Sequence, residues 1–93
     1  MEFEWDEVKN QKNFAKHKIN FELACKVFDD PLAKFILDRV VEGEERWQAI
    51  GRVTDRYLLL VAHCYRQKNG EEIIRIISAR PATSHERRIY EER

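Results

Sequence analysis

The side chains of this sequence that could do chemistry are histidine, arginine, lysine and tyrosine. Three histidines, His17, His63 and His85, are scattered along the chain. The two cysteines, Cys25 and Cys64, sit in apolar patterns and read as reduced core thiols. No zinc spacing, phosphate-binding glycine loop, H-E-x-x-H helix or G-x-S-x-G elbow is present. No carboxylate cluster points to a two-metal nuclease. The set that remains suits one reaction without a metal or cofactor: cleavage of RNA by attack of its own 2′-hydroxyl. The substrate then brings the nucleophile. The protein supplies a proton acceptor or donor, and cations around a pentavalent phosphorus.

Within that chemistry His63 and His17 are the candidates for proton transfer. Arg66, Arg80 and Lys16 are the candidates for phosphate, with Arg75 as a further clamp. Tyr90 or Tyr65 could donate a proton or stack on a base. Each has a plainer alternative. His63 lies on an apolar strand and could be a hydrogen-bonded core histidine. Lys16-His17 could simply favour the negative end of a helix. Arg75, between isoleucines, could pair a carboxylate such as Glu22 or Asp29. Arg87-Arg88 could be a solvated helix face.

Charge narrows the classes. The 93 residues carry 17 basic and 17 acidic side chains, for a net charge of zero. A polycation that binds nucleic acid through bulk charge is thereby excluded, but a local basic patch is not. Residues 1–50 hold eight Lys/Arg against eleven Asp/Glu, and residues 51–93 hold nine against six. The second half is arginine-rich: Arg52, Arg56, Arg66, Arg75, Arg80, Arg87, Arg88 and Arg93. Guanidinium forks match phosphate geometry better than ammonium groups do. The longest apolar run, 57–62, is strand-sized, and the N-terminus is acidic and unlike a signal peptide. The expectation is one soluble cytoplasmic domain spanning 1–93.

These residues need elements to position them. Phe3 and Trp5 alternate with acids as in a short strand. Asp6 can cap a helix to about Lys16, and Asn20 a second from Phe21 to Phe28, ended by Asp29-Asp30-Pro31. Strands are predicted near 33–40, 46–53, 56–66 and 71–80. Asn69-Gly70 makes the last link tight, because both residues tolerate positive φ. Thr83-Ser84-His85-Glu86 is a capping box that starts a short C-terminal helix. Short links imply antiparallel neighbours. The expected fold is α+β, with two N-terminal helices on a four-stranded antiparallel sheet. In a regular register around Asn69-Gly70, Lys68 faces Glu71, His63 faces Ile76 and Leu59 faces Arg80. His63 and Arg80 would then share a face.

Longer stretches are more specific than any of these motifs. They include Trp5-Asp6, Lys9, Asn13 with Lys16-His17, and Val27-Phe28-Asp29-Asp30-Pro31-Leu32. Further along come Glu45-Arg46-Trp47-Gln48-Ala49-Ile50-Gly51, Leu59-Leu60-Val61-Ala62-His63 and Ile74-Arg75-Ile76-Ile77-Ser78-Ala79-Arg80. The last is Glu86-Arg87-Arg88-Ile89-Tyr90-Glu91. Together they resemble the BrnT family, toxins of bacterial type II toxin–antitoxin systems. The resemblance implies a RelE-like fold and a toxin that cleaves RNA and stops translation. It also implies a BrnA-like antitoxin that masks the toxin, carries a DNA-binding domain and represses the shared operon. The neutral charge adds a further expectation, that local arginines or another factor such as the ribosome present the RNA. Trp47 and Tyr57, near strand ends, are candidates for exposed aromatic surface facing the antitoxin. The alternative function is a non-catalytic binding module acting in complex with a DNA-binding partner.

Overall fold

The computed structural model describes residues 1–92; Arg93, counted above among the arginines, lies outside the described residues. The elements run β1 (Glu2–Glu4), α1 (Glu7–His17), α2 (Phe21–Cys25), a 3-10 turn (Lys26–Asp29), β2 (Lys34–Val41), β3 (Glu44–Arg52), β4 (Leu58–Lys68), β5 (Glu71–Pro81) and α3 (Ser84–Glu91).

Local chemistry explains the boundaries. Asp6 caps α1 by accepting from the backbone N–H groups of Val8 and Lys9, and Lys18 ends it in the left-handed region. Those two N–H groups, Lys9 first, hold the Asp6 carboxyl below the usual carboxylate range. Asn20 caps α2 through Leu23. The capping box at Thr83 and Glu86 forms in both directions. The second helix is shorter than expected. It tightens into a 3-10 turn after Cys25, which brings Val27 against β3. Gly51 makes that approach possible, since a Cβ there would lie 2.7 Å from Val27 Cγ1.

The sheet departs from expectation. It has five strands in the order β1-β5-β4-β3-β2, and β1 runs parallel to β5. A four-stranded, wholly antiparallel sheet is therefore incorrect. The three links among β2 to β5 are local and readable from turn residues. The β1–β5 pair joins the two ends of the chain, so no turn announces it. Phe3 packs on the main core from this strand.

The register also departs at one point. Lys68 faces Glu71 and His63 faces Ile76, as expected, but the pairing slips between Ala62 and His63. Beyond that bulge Leu60, not Leu59, faces Arg80. One extra residue on β5 moves Arg80 to the face opposite His63. Two cores result. In the first, Phe21 and Ala24 of α2 pack with Ile19, Val27, Leu59, Val61, Ile74 and Ile76. In the second, Tyr90 of α3 packs with Ile50, Leu58 and Leu60 of the sheet.

Candidate nucleic-acid interface

The candidate residues fall into four places. His63 is fully buried on the α1/α2 side of the sheet. Its Nδ1 lies 3.1 Å from the carbonyl of Val61 and its Nε2 3.2 Å from the Tyr65 hydroxyl. Phe28, Phe35 and Tyr65 meet the ring edge-on. Burial pulls the imidazole below its ordinary range, favouring the neutral form. In this conformation His63 is a core histidine that no phosphate reaches.

On the opposite face Arg66 and Arg75 come together with Arg46, and Arg80 stands further along β5; each already holds an anion. Arg75 donates to Glu4 at 3.0 Å. Arg66 lies 3.9 Å from Glu4 and 3.7 Å from Glu44, which also approaches Arg46 at 3.4 Å. The partner of Arg75 is thus Glu4 from the parallel β1 strand, in place of Glu22 or Asp29. Arg80 makes a two-pronged pair with Glu86 at 2.8 and 2.9 Å. That fork, with the Thr83 backbone N–H, lowers the pKa of the Glu86 carboxyl.

Tyr90 lies elsewhere, on the buried side of α3. Its hydroxyl donates to Asp30 at 2.7 Å, and Arg52 sits over its ring. Burial, and then the Asp30 carboxylate, raise its pKa, so it is a poor proton donor.

The fourth place is a groove of about 450 Å³ between α1 and the outer edge of β5. Lys9, Lys12, Lys16 and His17 line it from the helix, and 77–80 from the strand. Lys9, Lys12 and Lys16 are at i, i+3 and i+7, one helical stripe. None of these four side chains forms an ion pair among the described residues. Asn13, also on this face, fixes the helix to the strand. Its amide donates to the carbonyls of Ile19 and Ala79, both at 2.8 Å, and accepts from Ala79 N–H at 3.2 Å. Lys16, His17 and Arg80 thus line one groove, while His63, Arg66, Arg75 and Tyr90 lie outside it. Lys9 and Lys12 carried no assigned role in the sequence reading, although their helical spacing with Lys16 was there to be read. Among the described residues no His/Cys/Asp/Glu group is arranged to hold a metal ion, and no helix is long and apolar enough to cross a membrane.

Residues 5–86 match the family described as "Ribonuclease toxin, BrnT, of type II toxin-antitoxin system". The chain belongs to the BrnT family. It is therefore a ribonuclease toxin of the type II toxin–antitoxin class, and membership implies an antitoxin partner. The crystal structure of the Brucella abortus ribonuclease toxin BrnT is similar to it. The TM-score is 0.66 at 27% identity, over 90% of this chain and 99% of that one. No curated protein matches the sequence.

Proposed function

We propose that this BrnT-family chain is a metal-independent endoribonuclease that holds its RNA in the α1–β5 groove. It would inhibit translation by cutting RNA and be silenced by a BrnA-like, DNA-binding antitoxin. The supporting observation is the stripe of Lys9, Lys12, Lys16 and His17, which is not neutralised by carboxylates as the arginine face is. The lysines hold successive phosphates. His17 takes the proton of the 2′-hydroxyl as its oxygen bonds to phosphorus. The bond to the 5′-oxygen breaks, and that oxygen takes its proton from Lys16 or water. Arg80, at the β5 rim of the groove, stabilises the phosphorane charge once Glu86 shares it.

The test incubates purified, antitoxin-free protein with a long RNA in excess EDTA. Cleavage by the parent is expected, falling about a hundredfold or more in His17→Ala, the usual scale for a lost proton-transfer group. Arg80→Ala should also abolish growth inhibition, with Glu86→Gln as the control that breaks the same pair but keeps the guanidinium. Undiminished cleavage by His17→Ala removes its role. Cleavage only after ribosomes are added would make the ribosome the presenting factor. A second reading, a non-catalytic binding module, is favoured by the internal pairing of Arg66, Arg75 and Arg80. It would prevail if the parent cut no RNA even with ribosomes.

A further inference from the structure

On the sheet face that carries α1 and α2, the helices pack on β5 and the 3-10 turn on β3, while on β2 only Phe35 is met, by Phe28, and Leu37 and Val40 stay exposed. β2 is also an edge strand. Five apolar side chains are grouped there: Phe35, Leu37 and Val40 on β2, Trp47 on β3 and Tyr65 on β4. Phe35 and Leu37 are 47% exposed and Val40 59%. The group is not an accident of alternation. In a regular strand Arg39 would follow Phe35 and Leu37 on this face. The pairing of β2 with β3 slips between Leu37 and Arg39, so Val40 faces Glu45 and Arg39 turns to the other side. The bulge thereby replaces a cation with a valine on an exposed surface, at an unpaired edge where natural sheets usually place charge.

The charge around this patch decides what it suits. Glu45 stands on the same face, paired across from Val40, and Glu72 raises the Tyr65 pKa after burial has done so. A groove of about 520 Å³ opens between Trp47 and Tyr65, bordered by Glu45 and by Glu44, whose carboxylate is held by Arg46 and Arg66. Aromatic walls with the Glu45 carboxylate at the mouth suit an arginine or lysine side chain. They repel a phosphodiester chain, so the aromatic group is not a platform for RNA bases.

We infer that this surface is the docking site for the antitoxin. The segment it takes is an extended stretch that adds a strand to the open edge of β2. Alternate apolar residues of that segment cover Phe35, Leu37 and Val40, and one basic side chain enters the Trp47–Tyr65 groove. The inference rests on the antitoxin partnership of the family, not on the ribonuclease reading. The occupied edge lies at the far side of the sheet from β5, so docking need not cover the α1 stripe.

The test measures binding, which does not depend on catalysis. Full-length toxin is titrated by calorimetry with the purified antitoxin encoded in the same operon. Leu37→Asp and Glu45→Lys are expected to weaken binding at least tenfold each while keeping the parent's circular dichroism and melting. Val8→Asp, on the exposed side of α1, should bind as the parent does. Undiminished binding by both folded variants overturns the proposal. So does loss of single-stranded RNA affinity in Leu37→Asp with antitoxin binding retained. Self-association of the free parent that Leu37→Asp abolishes, again with antitoxin binding retained, would make the face a contact between copies and overturn it too.

Discussion

His63 and Arg80 illustrate how a residue's type and its environment carry different information. Both types were legible as reactive groups. Their surroundings were not, because burial depends on which elements lie over a strand and pairing depends on a register shift of one residue. His63 is enclosed by Phe28, Phe35 and Tyr65. Its enclosure has a measurable consequence. The folded imidazole titrates below its ordinary range because burial disfavours the charged form. In the unfolded chain it takes a proton near pH 6.5. Below that pH the unfolded state binds more protons, so stability falls as pH falls, until the folded value is reached. Above about pH 7 both states are neutral and the contribution is flat. The parent should therefore lose stability between pH 7 and 5, by up to about 1.4 kcal/mol per pH unit. His63→Leu should be nearly pH-independent in that window. Urea midpoints at pH 7.5, 6.5 and 5.5 check this, and an equal slope in both proteins would place the proton uptake at another group.

At the scale of elements, what the turns and caps dictate was readable and what distant pairing dictates was not. Asp6, Asn20, Thr83 and Asn69-Gly70 announced the helix starts and the last hairpin, and those elements formed. The parallel β1–β5 pair and the two bulges carry no such signal. The bulges arise from packing across strands, where one extra residue lets a side chain change faces. The α1 stripe lies between these cases: its spacing is visible in sequence, but its position against β5 depends on Asn13. That side chain takes the place of a missing strand neighbour, pairing both backbone groups of Ala79 and the carbonyl of Ile19. Asn13→Ala would leave buried backbone groups unpaired, each costing roughly 1 kcal/mol or more. The expected loss is about 2–3 kcal/mol in chemical denaturation, with an unchanged denaturant slope. RNA affinity should fall as well, since the lysines lose their fixed distance from β5. A variant with parent stability would show that water or a shifted helix satisfies Ala79.

For the molecule as a whole, zero net charge means that no long-range field draws RNA in. The charges are instead sorted locally. The arginine face is tied down by Glu4, Glu44 and Glu86, and the apolar β2 edge is bordered by Glu45. The lysines of the α1 stripe are exposed and enter no ion pair among the described residues, as is also true of Arg87 and Arg88 on α3, but the α1 lysines additionally line a groove. The sum over the sequence hid this sorting, because carboxylates that neutralise one face and cations that leave another open cancel in the total. The salt dependence of RNA binding reads the arrangement directly. Each single-strand phosphate neutralised contributes about −0.7 to the slope of log affinity against log salt. The three lysines predict a slope of about −2. Lys12→Ala should weaken binding uniformly across RNA sequences and make the slope shallower by about 0.7. A parent slope steeper than about −5 would require the arginines as well, and so the opening of their pairs with Glu4, Glu44 and Glu86 on binding. A slope near zero would remove phosphate contact from the groove and with it the placement of RNA along α1.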